Sequence, residues 1–396
     1  MSCLLPQGFR AAGLYCGIKR DTTKLDLSLV VSDRDAVAAG VYTQNLVFAA
    51  PVQLDRSRTP CGRIRAVVTN SGNANACTGE RGLRDAETMA RAAAEAVGAT
   101  GDQALVMSTG IIGEFLPLEK ITRGIQTAAA QLGDGESALI DAARGMLTTD
   151  TRHKLAGRTV SIAGQPIQIT GMCKGAAMIG PRMGTMLGLI LTDAQLTPAA
   201  AQQTLSAVVE DTFNCISIDG HMSTNDTVLL VANGARGPLL EGAQRQTFQA
   251  ALHEVAAELA KAIPADGEGA SHLVTIDVSG CLDRAAAHQI AKTVAESALV
   301  KCAIAGADPN WGRIVSAAGY AQVPFDPHKV DLFLNGHSLY QQGTPVPFDA
   351  GAVSKSIQSQ RDTHIDLRFG EGSARVRFWS TDLTAEYVRL NADYHT

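Results

Sequence analysis

Residues 184–191 read Gly-Thr-Met-Leu-Gly-Leu-Ile-Leu, an apolar run of strand length that opens on a glycine and a threonine in mid-chain. Two readings fit it. Gly184 leaves the carbonyl before Thr185 sterically open, so the Thr185 hydroxyl can attack it. Hydrolysis of the resulting ester would divide the chain and give Thr185 a free α-amine beside its own hydroxyl, a nucleophile that carries its base. Alternatively the segment is only a buried strand entered through a glycine turn. The residues of the junction alone leave both open.

With 396 residues the chain has room for two or three domains and a sizeable core. Hydrophobic residues at 45% and charged residues at 18% give a globular composition. A net charge of -5 without Lys or Arg clusters argues against a nucleic-acid partner. Apolar runs such as Met186 to Leu191 fall far short of a membrane span, and Met1 to Arg20 lacks the apolar core of a signal peptide. The eight cysteines are scattered without a Cys-x-x-Cys pair, which reads as reduced cytoplasmic thiols. No metal is expected: His253-Glu254 has Ala257 where a second ligand would fall, and His253 flanks the stripe Phe248, Leu252, Val255, Leu259.

Strand and helix signals alternate, and hairpins are frequent enough to predict an α/β fold with a mixed sheet. Leu25 to Leu29 alternates with period two. Ala66 to Thr69 reads as a buried strand running into Asn70-Ser-Gly-Asn-Ala-Asn-Ala-Cys-Thr-Gly79, where Asn and Gly suggest tight turns. Leu83, Ala86, Met89, Ala93 and Val97 then mark a helix stopped by Gly98. Val160 and Ile162 face Ile167 and Ile169 across Ala163-Gly-Gln-Pro166 as a hairpin. Thr197 with Pro198 opens a helix, and Arg245 to Ile263 is a long amphipathic one. Leu273 to Val278 reads as a strand, followed by a helix from Asp283. Ile365, Leu367 and Phe369 pair in expectation with Ala374, Val376 and Phe378 across Gly370-Glu-Gly372.

A nucleophile at Thr185 needs an oxyanion hole. Ala104 to Met107 reads as a strand ending at Ser108-Thr-Gly110 ahead of a helical stretch from Leu118, and such a junction offers free amides; an ordinary helix cap is the alternative. Asp219-Gly-His-Met-Ser-Thr-Asn-Asp226, Asp266-Gly-Glu-Gly-Ala270 and Asp308-Pro-Asn-Trp-Gly-Arg313 are dense in groups able to orient a polar ligand, although each singly is compatible with a turn. No nucleotide-binding glycine loop is present.

Taken together, the segments resemble the arginine-pathway ornithine acetyltransferases, also called bifunctional glutamate N-acetyltransferases. The resemblance is carried by Ala39 to Asn45, Asn70 to Gly79, Ser108 to Gly113, Thr148-Thr-Asp-Thr151, Lys174-Gly and Gly184-Thr185. It continues through Ser223-Thr-Asn-Asp226, Asp266 to Ala270, Asp308 to Arg313 and Asn391 to Thr396. It implies the layered mixed-sheet sandwich of that family, with a site similar to that of N-terminal nucleophile hydrolases. It also implies a precursor that cleaves itself between Gly184 and Thr185, giving chains 1–184 and 185–396 that assemble two and two as a heterotetramer.

By matching positions, Thr185 would be the nucleophile and Thr109 and Gly110 the oxyanion hole. Thr148, Lys174, Thr185, Glu268, Asn391 and Thr396 would line the substrate site. The acetyl group of N-acetylornithine would pass through Thr185 to glutamate without a cofactor, acetyl-CoA being open as a second donor. The sequence departs from the family pattern at Ala176-Ala177, Arg182, Gly184, His221-Met222 and Cys302, which bears on substrate preference. A self-processed aminopeptidase or amidohydrolase using the same threonine is the alternative activity.

Overall fold

The computed structural model describes residues 3–180 and 186–393. The apolar run after the junction forms the strand Leu187–Gln195, buried at every position but the last. A strand covered on both faces loses the polar alternation of a half-exposed one. Its neighbours are Thr227–Leu239, parallel, and Gln165–Lys174, antiparallel. The full sheet runs Ala104–Ile111, Cys61–Asn73, Leu27–Tyr42, Thr227–Leu239, Leu187–Gln195, Gln165–Lys174, Lys154–Ile162, with Phe9–Leu14 added beside Leu27–Tyr42. The expected pieces 1–184 and 185–396 therefore share one sheet.

Both faces of this sheet carry helices. Ile190 and Leu230 pack against Pro198–Glu210 and Gly242–Ala262, while Leu189 and Leu229 turn to the opposite side with Leu139 and Ala142 of Glu136–Gly145. Ala86, Met89 and Ala93 of Gly79–Glu95 cover Ala66, Val68 and Val106. Local signals govern the helix starts: Thr197 accepts the N–H of Ala200, with Pro198 in the first turn, and Asp283 accepts that of Ala286. The 160–169 hairpin forms with Val160 opposite Ile167, but its loop is shorter than the sequence suggests. Ala163 and Gly164 take φ values of 51° and 75°, making a two-residue turn that leaves Gln165 and Pro166 in the strand.

A second sheet, Thr344–Pro345, His337–Gln341, Val330–Leu334, Asp362–Phe369, Leu273–Cys281, Ala374–Thr381, Ile216–Ser217, is backed by Arg284–Glu296, Trp311–Gly319 and Ala350–Gln358. Here the expected final hairpin is not formed. Leu273–Cys281 lies between its two arms, parallel to Asp362–Phe369 and antiparallel to Ala374–Thr381. The Gly370-Glu-Gly372 connection passes over the end of that inserted strand, with Glu371 and Gly372 both donating to the Gly280 carbonyl. A Cβ at Gly372 would come 2.3 Å from the Cys281 carbonyl oxygen, so the crossing requires glycine.

Candidate active site

Thr109 and Gly110 are the sixth and seventh residues of Ala104–Ile111, paired in parallel with Ser71 and Gly72. Gly110 has φ +132°, and a Cβ there would meet the Gly72 carbonyl carbon at 2.3 Å, so only glycine lets the strands approach. The next helix begins only at Leu118, after Pro117. The amides at 109 and 110 therefore belong to a strand end, as the sequence suggests, and not to a helix cap. The preceding Ser108 is structural: its hydroxyl donates to Asn70 at 2.6 Å, and Asn225 donates to its carbonyl at 2.8 Å. Asn70 itself lies inside Cys61–Asn73 and is fully buried, where the sequence suggests a turn. The buried amide is satisfied by fixed partners, Ser108 on the neighbouring strand and the Asn73 carbonyl in its own, and that requirement outweighs its turn preference.

Opposite lies a buried network of charges. Lys154 donates to Asp150 and to Asp266, each at 2.6 Å, and all three side chains are almost fully buried. Asp150 also accepts the N–H groups of Thr148 and Gly175, at 3.2 and 2.7 Å, and Asp266 accepts that of Thr151 at 3.1 Å. Burial alone would raise the Asp150 carboxyl, but Lys174 and then Lys154 outweigh it and hold it at about 2. Burial lowers Lys174, partly offset by Asp150. The Lys174 side chain is 2% exposed, and among the described residues its ammonium makes no hydrogen bond.

The third wall comes from the C-terminal half. Glu268 donates its N–H to the Ala176 carbonyl at 2.9 Å, and its carboxylate accepts from the Asn391 side chain at 3.1 Å. Asn391 stands on Ala385–Asp393, pinned by Thr384 donating to Gly269 at 2.6 Å. Asp219 takes the N–H groups of Met178 and Ile179 at 2.7 and 2.9 Å and the Tyr387 hydroxyl at 3.1 Å. It fixes both the segment leading toward the junction and the C-terminal helix.

Thr109, Gly110, Thr148, Lys174, Glu268 and Asn391 line one open cleft, together with Ser223, Thr224 and Asn225. Gly184, Thr185 and Thr396 lie outside the described residues. Asp308 to Arg313 does not reach the cleft. Asn310 caps Trp311–Gly319 and Arg313 donates to the Leu299 carbonyl at 3.1 Å, beside a separate surface hollow. Among the described residues no cluster suited to a metal ion is present, and no helix is long and apolar enough to cross a membrane.

A sequence model described as the ArgJ family matches residues 10–396. The chain belongs to the ArgJ family. Curated relatives named arginine biosynthesis bifunctional protein ArgJ include that of Rhodopirellula baltica, 48% identical over 100% of this chain and 97% of its own. That of Symbiobacterium thermophilum is 45% identical over 99% and 98%. A crystal structure of the Bacillus halodurans protein of that name is 35% identical, with a TM-score of 0.51, over 52% of this chain and 98% of the solved chain. This ArgJ-family chain is thus an enzyme, an acyltransferase.

Three groups that build the ArgJ site escape a reading of the sequence. Lys154 opens an ordinary-looking strand; the signal it offered was a charge at a position whose alternation places it inward. Asp150 sits within the Thr148 to Thr151 motif, yet nothing local marks it as the anchor for Lys154 and Lys174. Asn225 sits within the Ser223 to Asp226 motif, but its donation to the carbonyls of Ala74 and Ser108 at 2.7 and 2.8 Å shows only once those segments are side by side.

Proposed function

We propose that the cleft takes N-acetylornithine and that Thr185 carries its acetyl group to glutamate, yielding ornithine and N-acetylglutamate. The observation that carries this reading is the pairing of one buried cation, Lys174, with one carboxylate, Glu268, in the cleft that also presents Thr109 and Gly110. N-acetylornithine has the complementary set: a carboxylate for Lys174, a side-chain ammonium for Glu268, and an amide whose oxygen becomes an oxyanion. The Thr185 hydroxyl attacks the acetyl carbon, its α-amine relaying the proton to the departing ornithine nitrogen. The α-amine of glutamate then attacks the acetyl ester and frees Thr185, a ping-pong sequence. One amide replaces another, so the exchange needs no cofactor; acetyl-CoA is a second donor whose thioester would drive acetylation of glutamate directly.

Self-cleavage between Gly184 and Thr185 supplies the free amine. In support, the solved Bacillus halodurans chain spans about half of this one although curated ArgJ proteins match it end to end. The two pieces stay together through their shared sheet and assemble as a cytoplasmic heterotetramer of two and two.

The test is a mass measurement under denaturing conditions joined to an acetyl-transfer assay. Two species dividing at Gly184, and N-acetylglutamate formed from N-acetylornithine, are the expected results. Acetate released at the same rate with and without glutamate would make the enzyme an amidohydrolase.

A further inference from the structure

Glu268 stands between Gly267 and Gly269, in a loop whose glycines give the backbone freedom that other contacts must remove. Those contacts come from the far end of the chain. A Cβ at Gly267 would lie 2.7 Å from Thr381 Cγ2, and one at Gly269, where φ is +66°, 2.4 Å from the Tyr387 backbone nitrogen. The loop therefore lies directly against the segment that leads into Ala385–Asp393. Its far end is held by Asp382, which is 3% exposed. One carboxylate oxygen accepts the Ser271 N–H at 3.0 Å. The other accepts the Ser271 hydroxyl and lies 2.9 Å from His272 Nδ1. On its other side the His272 ring meets the Ile357 carbonyl at 3.2 Å, which ties the same point to Ala350–Gln358.

A carboxylate taken out of water is costly unless donors surround it. Here the donors sit on two consecutive residues at the end of the Glu268 loop, so satisfying Asp382 also fixes that loop. The strand before Asp382 is held independently. Buried Lys301 donates to the carbonyls of Ile218 and Thr381, each at 2.7 Å. Asp382 itself follows Ala374–Thr381 and precedes Ala385–Asp393, the helix that carries Asn391. It does not line the cleft, but both residues of the third wall are joined through it.

We propose that Asp382 is a positioning residue for substrate selection: by clamping Ser271 and His272 it sets Glu268 and the Asn391 helix as one wall, and so favours acetyl donors that carry a side-chain ammonium. This rests on the reading that Glu268 takes that ammonium.

The purified enzyme is assayed with glutamate as acceptor and two donors, N-acetylornithine and N-acetylnorvaline, which has the same carbon chain without the amine. The parent is expected to prefer N-acetylornithine. Asp382→Ala should raise the KM for N-acetylornithine and cut the preference about tenfold, with kcat/KM for N-acetylnorvaline within about threefold of the parent. Asp382→Asn keeps an acceptor for the Ser271 N–H and offers an amide to the Ser271 oxygen; its preference should stay within about threefold of the parent. With Glu268→Gln already in place, Asp382→Ala should change the preference by less than about twofold, because the charge it places is gone.

An equal loss for both donors in Asp382→Ala, an intact preference there, an Asn variant as impaired as the Ala one, or a further fall beside Glu268→Gln overturns the assignment and leaves the Glu268 reading standing. If Asp382→Ala does not melt cooperatively, Ser271→Ala takes its place, removing only the hydroxyl from the clamp. A fall in preference of about threefold is then expected, and an unchanged preference overturns the assignment. A parent with no preference, or a Glu268→Gln variant that keeps all of it, overturns the Glu268 reading and this assignment with it.

Discussion

The Asn391 side-chain amide donates to Glu268 Oε2 at 3.1 Å, closing a contact across 123 residues of chain. It is an exposed pair, so it adds little to stability, but it ties the carboxylate of Glu268, which lines the cleft, to the C-terminal helix.

Glu268→Gln keeps the Asn391 contact through its amide oxygen and removes only the charge. The kcat/KM for N-acetylornithine should fall roughly 10- to 100-fold, the worth of one charged hydrogen bond, with the melting temperature unchanged within about 2 °C. Steady-state kinetics beside a thermal melt checks both halves. A loss of the same size for an N-acetyl amino acid without a side-chain amine would show that Glu268 does not read the ammonium.

Gly110→Ala should be far more damaging than Gly113→Ala. Both glycines have positive φ, +132° and +89°, but a Cβ at 110 collides with the Gly72 backbone while one at 113 meets open space. The expected costs are about 3 kcal/mol or more at 110 and about 1 kcal/mol at 113. Denaturant melts of the two purified variants make the comparison, and equal midpoints would refute it.

Lys154→Met leaves Asp150 and Asp266 buried against each other, a change expected to destabilise by about 3–5 kcal/mol. The pH response follows from the depressed Asp150 carboxyl. Its stabilisation is fully present above the unfolded value near pH 4 and is lost as pH falls through about 2. Removing Lys154 weakens that depression, so the acid loss of stability should shift to higher pH. Thermal melts from pH 2 to 5 would show the shift; parallel curves would count against the network.

Asp219→Ala frees the N–H groups of Met178 and Ile179 and the Tyr387 hydroxyl at once. Division at Gly184 should slow about tenfold or more, because the segment leading to it loses its anchor, and stability should drop by about 2 kcal/mol. A time course of the intact mass reads the first and a melt the second.

Local signals in the chain were enough for the helix starts at Thr197 and Asp283, the buried strand after the junction, and the pairing of Val160 with Ile167. Each of these depends on neighbours a few residues away: a cap bonds within its own first turn, and a short hairpin closes on itself. Ordered motifs likewise pointed to Thr109, Gly110, Thr148, Lys174, Glu268 and Asn391, which share the cleft. Long-range pairing was another matter. The apparent hairpin of Ile365 and Val376 is opened by Leu273–Cys281, a strand about ninety residues upstream of both whose apolar face completes the core between them. Lys154 meets Asp266 across 112 residues, and Asp226 meets Met186 across 40. A buried charge is tolerable only where its partner has been brought to it. Strand order decides which charges meet, and periodicity along one segment carries no record of that order.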